Sequence, residues 1–398
     1  MADAATDILI VSAVRTAIGD FGGALKSAPA TELGAIVIRE ALRRANIKGG
    51  DVHHVVMGHV IQGTPREAYL ARIAAVEAGV TIAAPALTLN RLCGSGLQAI
   101  VSAAQMVRLG EAGIAVAGGT ESMSNSPHVA PAVRWGQKMG PVTMLDAMVE
   151  VLTDPFGAGH MGMTAENIAK RHGISRTKQD ELAAESHRRA ACAIEEGRFR
   201  EQIVPVEVRG HKGVVVFDTD EHVRGEVTAE SLAALRPAFT KEGSVTAGNA
   251  SGLNDGAAAV VLASGATVAE AGLKPLARIV SWGHAGVEPD VMGLGPIEAV
   301  PIALDRAGLS LDDIDIIESN EAFAAQACAV AEQLGFDSSK TNPNGSGIAL
   351  GHPVGATGAI LVVKALYELR RTSGRYGLIT MCIGGGQGIA MVIERLGG

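Results

Sequence analysis

The chain has 398 residues, of which 47% are hydrophobic, 19% charged and only 3% aromatic, with 50 glycines. It is longer than one ordinary domain, forms cores rather than disorder, and lacks the aromatic platforms on which single-stranded bases stack. Acidic residues exceed basic ones, 42 against 34, which excludes a nucleic-acid backbone or an anionic membrane as the main partner while leaving room for a local basic patch that holds an anion.

At the start, Met1-Ala-Asp-Ala-Ala-Thr-Asp-Ile-Leu-Ile carries neither a basic n-region nor an Arg-rich amphipathic stretch, and no apolar run is long enough to span a bilayer. A cytoplasmic protein is expected. The next informative block, Ala41-Leu-Arg-Arg-Ala-Asn-Ile-Lys-Gly-Gly-Asp-Val-His-His-Val-Val, reads as a helix end, a short turn and a β-branched strand. It recurs 262 residues later as Ala303-Leu-Asp-Arg-Ala-Gly-Leu-Ser-Leu-Asp-Asp-Ile-Asp-Ile-Ile-Glu. The same offset carries Cys93-Gly-Ser-Gly onto Gly355-Ala-Thr-Gly358.

Each of those Gly-rich turns opens a helical pattern. Apolar residues fall at i, i+3, i+4, i+7 in Leu97, Ile100, Val101 and Ala104, and again in Ala359, Val362, Val363 and Leu366. Strands are expected after both helices, over 114–117 and 377–381. Two related α/β halves follow from this repetition. Between them, residues 122–250 differ in character, with Trp135, several methionines, an amphipathic helix starting at Ser175 or Thr177 and running to Glu196, and a set of arginines that includes Arg224. This segment reads either as a solvated insertion or as a ligand-holding lid.

Four cysteines, Cys93, Cys192, Cys328 and Cys382, are too few for a disulfide scaffold and lack CxxC metal spacing. Cys93 precedes a helix N-terminus, whose unpaired N–H groups and dipole favour thiolate over thiol. Its plain alternative is an inert buried thiol. His352 sits on the Gly-rich stretch Asn344-Gly-Ser-Gly-Ile-Ala-Leu-Gly-His-Pro353, where the following proline keeps it out of helical geometry, and it is a candidate base for a thiol. Cys382 follows a buried-strand pattern and precedes Gly384-Gly-Gly386, whose bare N–H groups suit an oxyanion hole. Glu318-Ser-Asn320-Glu-Ala-Phe323 follows a strand expected over 314–317, at the carboxyl end where open α/β sheets bind ligands. Gly345-Ser-Gly347-Ile-Ala-Leu-Gly351 loosely matches a dinucleotide fingerprint, but no strand is expected immediately before it and Pro343 and Pro353 break the frame.

Four blocks together, Asn90-Arg-Leu-Cys93-Gly-Ser-Gly, Asn320-Glu-Ala-Phe-Ala-Ala-Gln326, Gly351-His352-Pro-Val-Gly-Ala-Thr-Gly358 and Cys382-Ile-Gly-Gly-Gly386, resemble the thiolase family over essentially the whole chain. The resemblance implies an α/β thiolase fold of two similar five-layered α/β/α/β/α halves. The first half would occupy 1–121, completed by about 251–272, with an inserted loop domain over 122–250 and the second half over 273–398. It implies that Cys93 is the acylated nucleophile, His352 its base, and Cys382 the acid/base that exchanges a proton with the second acyl group or the departing CoA sulfur. Asn320 would hold a water that helps stabilise the enolate, and the N–H groups of Cys93 and Gly384 would form the oxyanion hole.

By shorter motifs, Ser251 matches a contact to the pantetheine arm, and Arg224 and Ser231 match positions near the adenine of CoA. His160, Met161, Leu152 and Phe323 complete the substrate-binding set; His160 and Met161 resemble the block that crowds the acyl pocket of short-chain biosynthetic members. No bound cofactor and no metal are implied, with acetyl-CoA, 3-ketoacyl-CoA and CoA as substrates and products and a homotetramer as the assembly. The activity implied is acetyl-CoA C-acetyltransferase, of the kind that feeds polyhydroxyalkanoate synthesis. The alternatives are a 3-ketoacyl-CoA thiolase of wider chain length in fatty-acid degradation, a decarboxylating ketoacyl synthase, and a non-catalytic CoA- or lipid-binding protein on this scaffold. Ser319 stands where members commonly carry alanine.

Overall fold

In a computed structural model, residues 6–210 and 213–397 are described; the first part of the amino-terminal stretch lies outside them. The repeat read from the sequence is a repeat in space. Strands His54–Gly58 and Ile316–Ser319, helices Ser95–Arg108 and Thr357–Thr372, and strands Ile114–Ser122 and Tyr376–Ile383 each begin 262 residues apart. Even the helix ends before the first pair match, since Asn46 and Gly308 both close their helices in the left-handed conformation, with φ of 55° and 66°.

One half-sheet holds Ala86–Leu89, His54–Gly58, Ile114–Ser122, Asn254–Ser264 and Ile8–Thr16 in that order, and the other holds Ala277–Gly286, Gln387–Arg395, Tyr376–Ile383 and Ile316–Ser319. They meet through two residue pairs, Leu9 with Arg278 and Ile10 with Ala277. Ser95–Arg108 packs on the first half-sheet, Thr357–Thr372 on the second, and these two helices pack on each other. Ala30–Ala45 covers the outer face of the first sheet and Gly295–Ala307 that of the second, which gives the order helix, sheet, helix, sheet, helix.

Small residues make those layers possible. Along Asn254–Ser264, Ala257, Ala259, Val261 and Ala263 enter the outer core while Ala258, Val260 and Leu262 enter the central one, so both faces of the strand are dry. Where the two central helices cross, a Cβ on Gly96 would stand 2.8 Å from the Ala359 nitrogen, and one on Gly358 would stand 2.4 Å from the Leu97 nitrogen. These glycines are themselves 262 apart, and any side chain there would push the helix starts away from each other.

Sequence-expected boundaries shift in three places. The strand expected over 314–317 runs over Ile316–Ser319, because Leu311–Asp313 first closes a 3-10 turn capped by Ser310. The strand expected over 114–117 continues to Ser122, burying the polar run Thr120, Glu121 and Ser122. The amphipathic helix runs over Arg176–Glu195, and Ser175 is its N-cap, accepting from the Lys178 N–H at 3.2 Å. In the intervening segment, Asp220 is tied to the body by a buried bidentate pair with Arg15, at 2.7 and 2.9 Å. Among the described residues, no helix is long and apolar enough to cross a membrane.

Candidate active site

Both central helices begin at one cavity of about 450 Å³, and the loops before them supply its reactive groups. Cys93, His352 and Gly384 line it, together with Leu152, His160, Met161, Ser251 and Phe323. Asn320 and Cys382 stand directly behind its wall, fully buried. Arg224 and Ser231 are not brought to the cavity. Ser231 lies in the first turn of the short helix Ala229–Ala233, exchanging hydrogen bonds with the N-cap Thr228, and the Arg224 backbone N–H donates to His187 Nδ1 at 3.2 Å.

The turn before Cys93 is strained. Leu92 has φ of 46°, a left-handed conformation that costs a non-glycine residue about 1 kcal/mol or more. It is held there by three bonds: its N–H donates to Asn90 Oδ1 at 2.8 Å, its carbonyl accepts from Ser95 Oγ at 2.7 Å, and Ser95 Oγ accepts from the Arg91 N–H at 2.8 Å. The helix starts only at Ser95, so Cys93 lies just outside its first turn. Burial pushes the Cys93 thiol up, opposed by the Gly384 N–H and its own. Desolvation thus works against the thiolate that a helix start favours. Cys93 needs a base.

His352 is built as one. Its backbone N–H donates to Asn254 Oδ1 at 2.9 Å, and its Nδ1 lies 2.7 Å from Thr357 Oγ1. The Thr357 hydroxyl donates its own proton to the Pro353 carbonyl at 2.9 Å, so Oγ1 accepts and Nδ1 carries the hydrogen. Nε2 is left with its lone pair, 3.4 Å from Asn320 Nδ2. Burial lowers the His352 pKa to about 4, which keeps the ring neutral at ordinary pH. Thr357 was not singled out from the sequence; its one signal was its position as the third residue of the second Gly-Ala-Thr-Gly turn.

Cys382 is the penultimate residue of the strand Tyr376–Ile383, and Gly384, Gly385 and Gly386 form the turn into Gln387–Arg395, the last two with φ of 80° and 85°. Burial, and then the nearby Cys93, push the Cys382 thiol far above the ordinary range. It rests as a thiol, and its thiolate would be a strong base. His160 caps the helix Met161–His172, its Nδ1 accepting from the Gly162 N–H at 3.1 Å, and stacks on Phe239 with ring centroids 4.9 Å apart. Burial lowers its pKa as well. Phe239 in turn meets Phe323 edge-on at 6.4 Å. The Ser251 N–H donates to the Ala322 carbonyl at 3.0 Å, which fastens its loop to the one bearing Asn320.

Much of the remaining lining is apolar and was not found by sequence reasoning: Val60, Met123, Met148, Phe239 and Met292 all face the cavity. Scattered apolar residues in loops carry no periodic signal. Ser319 ends its strand with its N–H on Asn342 Oδ1 at 2.9 Å, and nothing in the structure explains why a hydroxyl stands there. Among the described residues, no group of three or more His, Cys, Asp or Glu is placed to hold a metal ion.

Comparison with known proteins gives one answer along the chain. Residues 8–266 match the family model "Thiolase, N-terminal domain" and residues 273–395 match "Thiolase, C-terminal domain". The chain is 63% identical to the β-ketothiolase BktB of Cupriavidus necator, over 98% of this chain and 99% of that one. It is 50% identical to an acetyl-CoA acetyltransferase of Pseudomonas aeruginosa, again over 98% and 99%. Among solved structures, human mitochondrial 3-ketoacyl-CoA thiolase in complex with CoA superposes with a TM-score of 0.96 at 43% identity, covering 99% of both chains.

Proposed function

The chain belongs to the thiolase family and has the thiolase fold, and on that premise we propose that it is an acetyl-CoA C-acetyltransferase: it condenses two acyl-CoA molecules into a short 3-ketoacyl-CoA and CoA, reversibly, through an acyl-cysteine. The observation that carries this reading is the convergence of Cys93, a tautomer-fixed His352 and the Gly384 N–H on one apolar cavity, with Cys382 and Asn320 behind them.

The steps follow from the protonation states. A thiol raised by burial beside an imidazole lowered by burial is a neutral pair at rest. His352 Nε2 takes the Cys93 proton as Sγ attacks the acetyl carbonyl, and the N–H groups of Cys93 and Gly384 receive the oxyanion. As the C–S bond to CoA breaks, Cys382 gives its proton to the departing sulfur. The Cys382 thiolate so formed removes a proton from Cα of a second acetyl-CoA, while His352 and a water held by Asn320 stabilise the enolate oxygen. The enolate carbon attacks the acetyl-Cys93 carbonyl, forming the C–C bond as the C–S bond breaks, and the Cys93 thiolate takes back the proton that His352 holds. No cofactor is called for, since CoA is itself substrate and product.

Ser251 would meet the pantetheine arm, and Arg224 and Ser231, outside the cavity, the nucleotide end. In this reading 122–250 is an inserted loop domain between halves 1–121 with 251–272 and 273–398. His160 and Met161 on the cavity wall support a short acyl group. A homotetramer in the cytoplasm, serving polyhydroxyalkanoate synthesis, completes the proposal. The assembly is supported by Ala86–Leu89 ending the sheet with one side unpaired and by Trp135 and Met139, 89% and 88% exposed on one loop segment.

The test is thiolysis of acetoacetyl-CoA and 3-ketovaleryl-CoA side by side, with peptide mass spectrometry of enzyme mixed with acetyl-CoA alone. An acetyl adduct on Cys93 and turnover of both substrates, with kcat/KM within about 200-fold because one methylene discriminates weakly, are expected. Turnover without an adduct on Cys93 would reject the nucleophile, and CoA binding without thiolysis would reject the enzyme.

A further inference from the structure

Behind the cavity wall lies a buried cluster of charge that the chemistry above leaves unused. Glu121, fully buried near the end of Ile114–Ser122, accepts three backbone hydrogen bonds from two separate segments. Its Oε2 accepts from the Val60 N–H at 3.0 Å and the Gly355 N–H at 2.9 Å; its Oε1 accepts from the Ile61 N–H at 3.1 Å and faces His59 Nδ1 at 3.1 Å. His59 is buried too, and Glu67 stands beyond it with Oε2 3.6 Å from its Nε2. A Cβ on Gly355 would stand 2.5 Å from Glu121 Oε2 and 3.0 Å from the His59 Cα, so the glycine is what lets this carboxylate reach its donors.

Both segments border the reacting groups. Val60 lines the cavity beside Cys93, and Gly355 lies between His352 and the Thr357 that fixes its tautomer. We propose that Glu121, backed by His59, is a positioning residue for acyl transfer, holding the Cys93 wall and the His352 turn in one register. The proposal rests on the acyl-transfer reading. Burial alone would strip His59 of its charge, but the Glu121 and Glu67 carboxylates beside it, and the Thr120 carbonyl 3.0 Å from its Nδ1, raise its pKa to about 10, so the cluster keeps an imidazolium between two carboxylates. At Cys93, burial first and then Glu121 disfavour the thiolate, while the Gly384 N–H and the N–H of Cys93 itself favour it; the Cys382 thiol and the neutral His352 are its uncharged neighbours.

The test separates charge from reach. Thiolate at Cys93 is read in the full-length enzyme as the pH dependence of its alkylation by iodoacetamide, localised by peptide mass spectrometry, which needs no turnover; thiolysis kinetics are measured alongside. Glu121→Gln is expected to move the alkylation profile to lower pH, by about half to one pH unit, because a negative charge near the thiol is lost. It should also lower kcat at least about tenfold with KM within about threefold, as misplacement of reacting groups does. Glu121→Asp should return the profile to the wild-type pH with kcat still reduced. Should Glu121→Gln not fold, His59→Gln carries the test, since removing the counter-charge should move the profile to higher pH. An unmoved profile in the folded variants, or a shift of His59→Gln in the direction of Glu121→Gln, overturns the proposal. Wild-type enzyme that alkylates as expected but does not thiolyse acetoacetyl-CoA rejects the acyl-transfer reading instead.

Discussion

The turn that ends at Ser95 and the turn that ends at Thr357 stand in equivalent places of the two halves, and they differ in backbone, with only Leu92 left-handed, and in what their hydroxyls hold. At Ser95, Oγ accepts from the Arg91 N–H and donates to the Leu92 carbonyl, spending both interactions on the backbone of the strained turn that presents Cys93. At Thr357, 262 residues on, Oγ1 donates to the Pro353 carbonyl and accepts from His352 Nδ1. One copy stabilises the backbone under a nucleophile, and the other orients a base. Asn90 occupies the place equivalent to His352, and Gly355 the place equivalent to Cys93, so neither turn carries both reactive groups. A duplicated scaffold with two helix starts touching at Gly96 and Gly358 brings them to one cavity.

That division of labour is open to direct attack. The largest effect is expected for Cys93→Ala, which should remove acyl transfer altogether and, by mass spectrometry with acetyl-CoA, leave no acetyl adduct; residual turnover at more than about a ten-thousandth of wild type would show a second nucleophile. Next comes Cys382→Ser, expected to be acetylated on Cys93 but to condense about 10²- to 10⁴-fold more slowly, the usual worth of a positioned acid/base. Equal defects in both half-reactions would erase the distinction between the two cysteines.

Thr357→Val tests the second turn. Without the hydroxyl, Nδ1 has no acceptor and the tautomer is no longer fixed; a fall in kcat of about ten- to a hundredfold is expected, with Thr357→Ser close to wild type. A valine variant as active as wild type would show that the tautomer is set elsewhere. The smallest effect concerns pH. Because burial holds His352 at about 4, the base is lost only as pH falls through about 4, and single-turnover acylation should show no protonation step near 6.5. The same lowered pKa makes His352 contribute stability that is full above about 6.5 and declines as pH falls from there toward 4. An acid limb in acylation centred near 6.5 would mean that His352 is more solvated than its surroundings imply.

Legibility differed between fold and site. The repeat, the two central helices and four chemistry-bearing blocks were readable because each is a local pattern: periodic apolar residues, glycines at turns, and a cysteine or histidine beside them. Glu121 was not readable, since a carboxylate at the end of an apolar strand looks like a residue leaving the core, and only the N–H groups of Val60, Ile61 and Gly355 make its burial tolerable. Thr357 escaped for a similar reason, its partner being a side chain whose direction depends on Pro353. The burial that raises the Cys93 thiol was not legible, because a helix start is visible in a chain and desolvation is not.

Order and spacing of residues along the chain determined the duplicated α/β architecture, the family, and which side chains are chemically reactive, because these are properties of short-range pattern and composition. Tertiary structure alone decided which nitrogen of His352 carries the proton, that Cys93 rests as a thiol, and that an imidazolium lies between two carboxylates behind the cavity wall. Each of those depends on what folding places within about 4 Å of a group held away from water, and in a medium that screens so weakly the neighbours rather than the residue's own type set its charge.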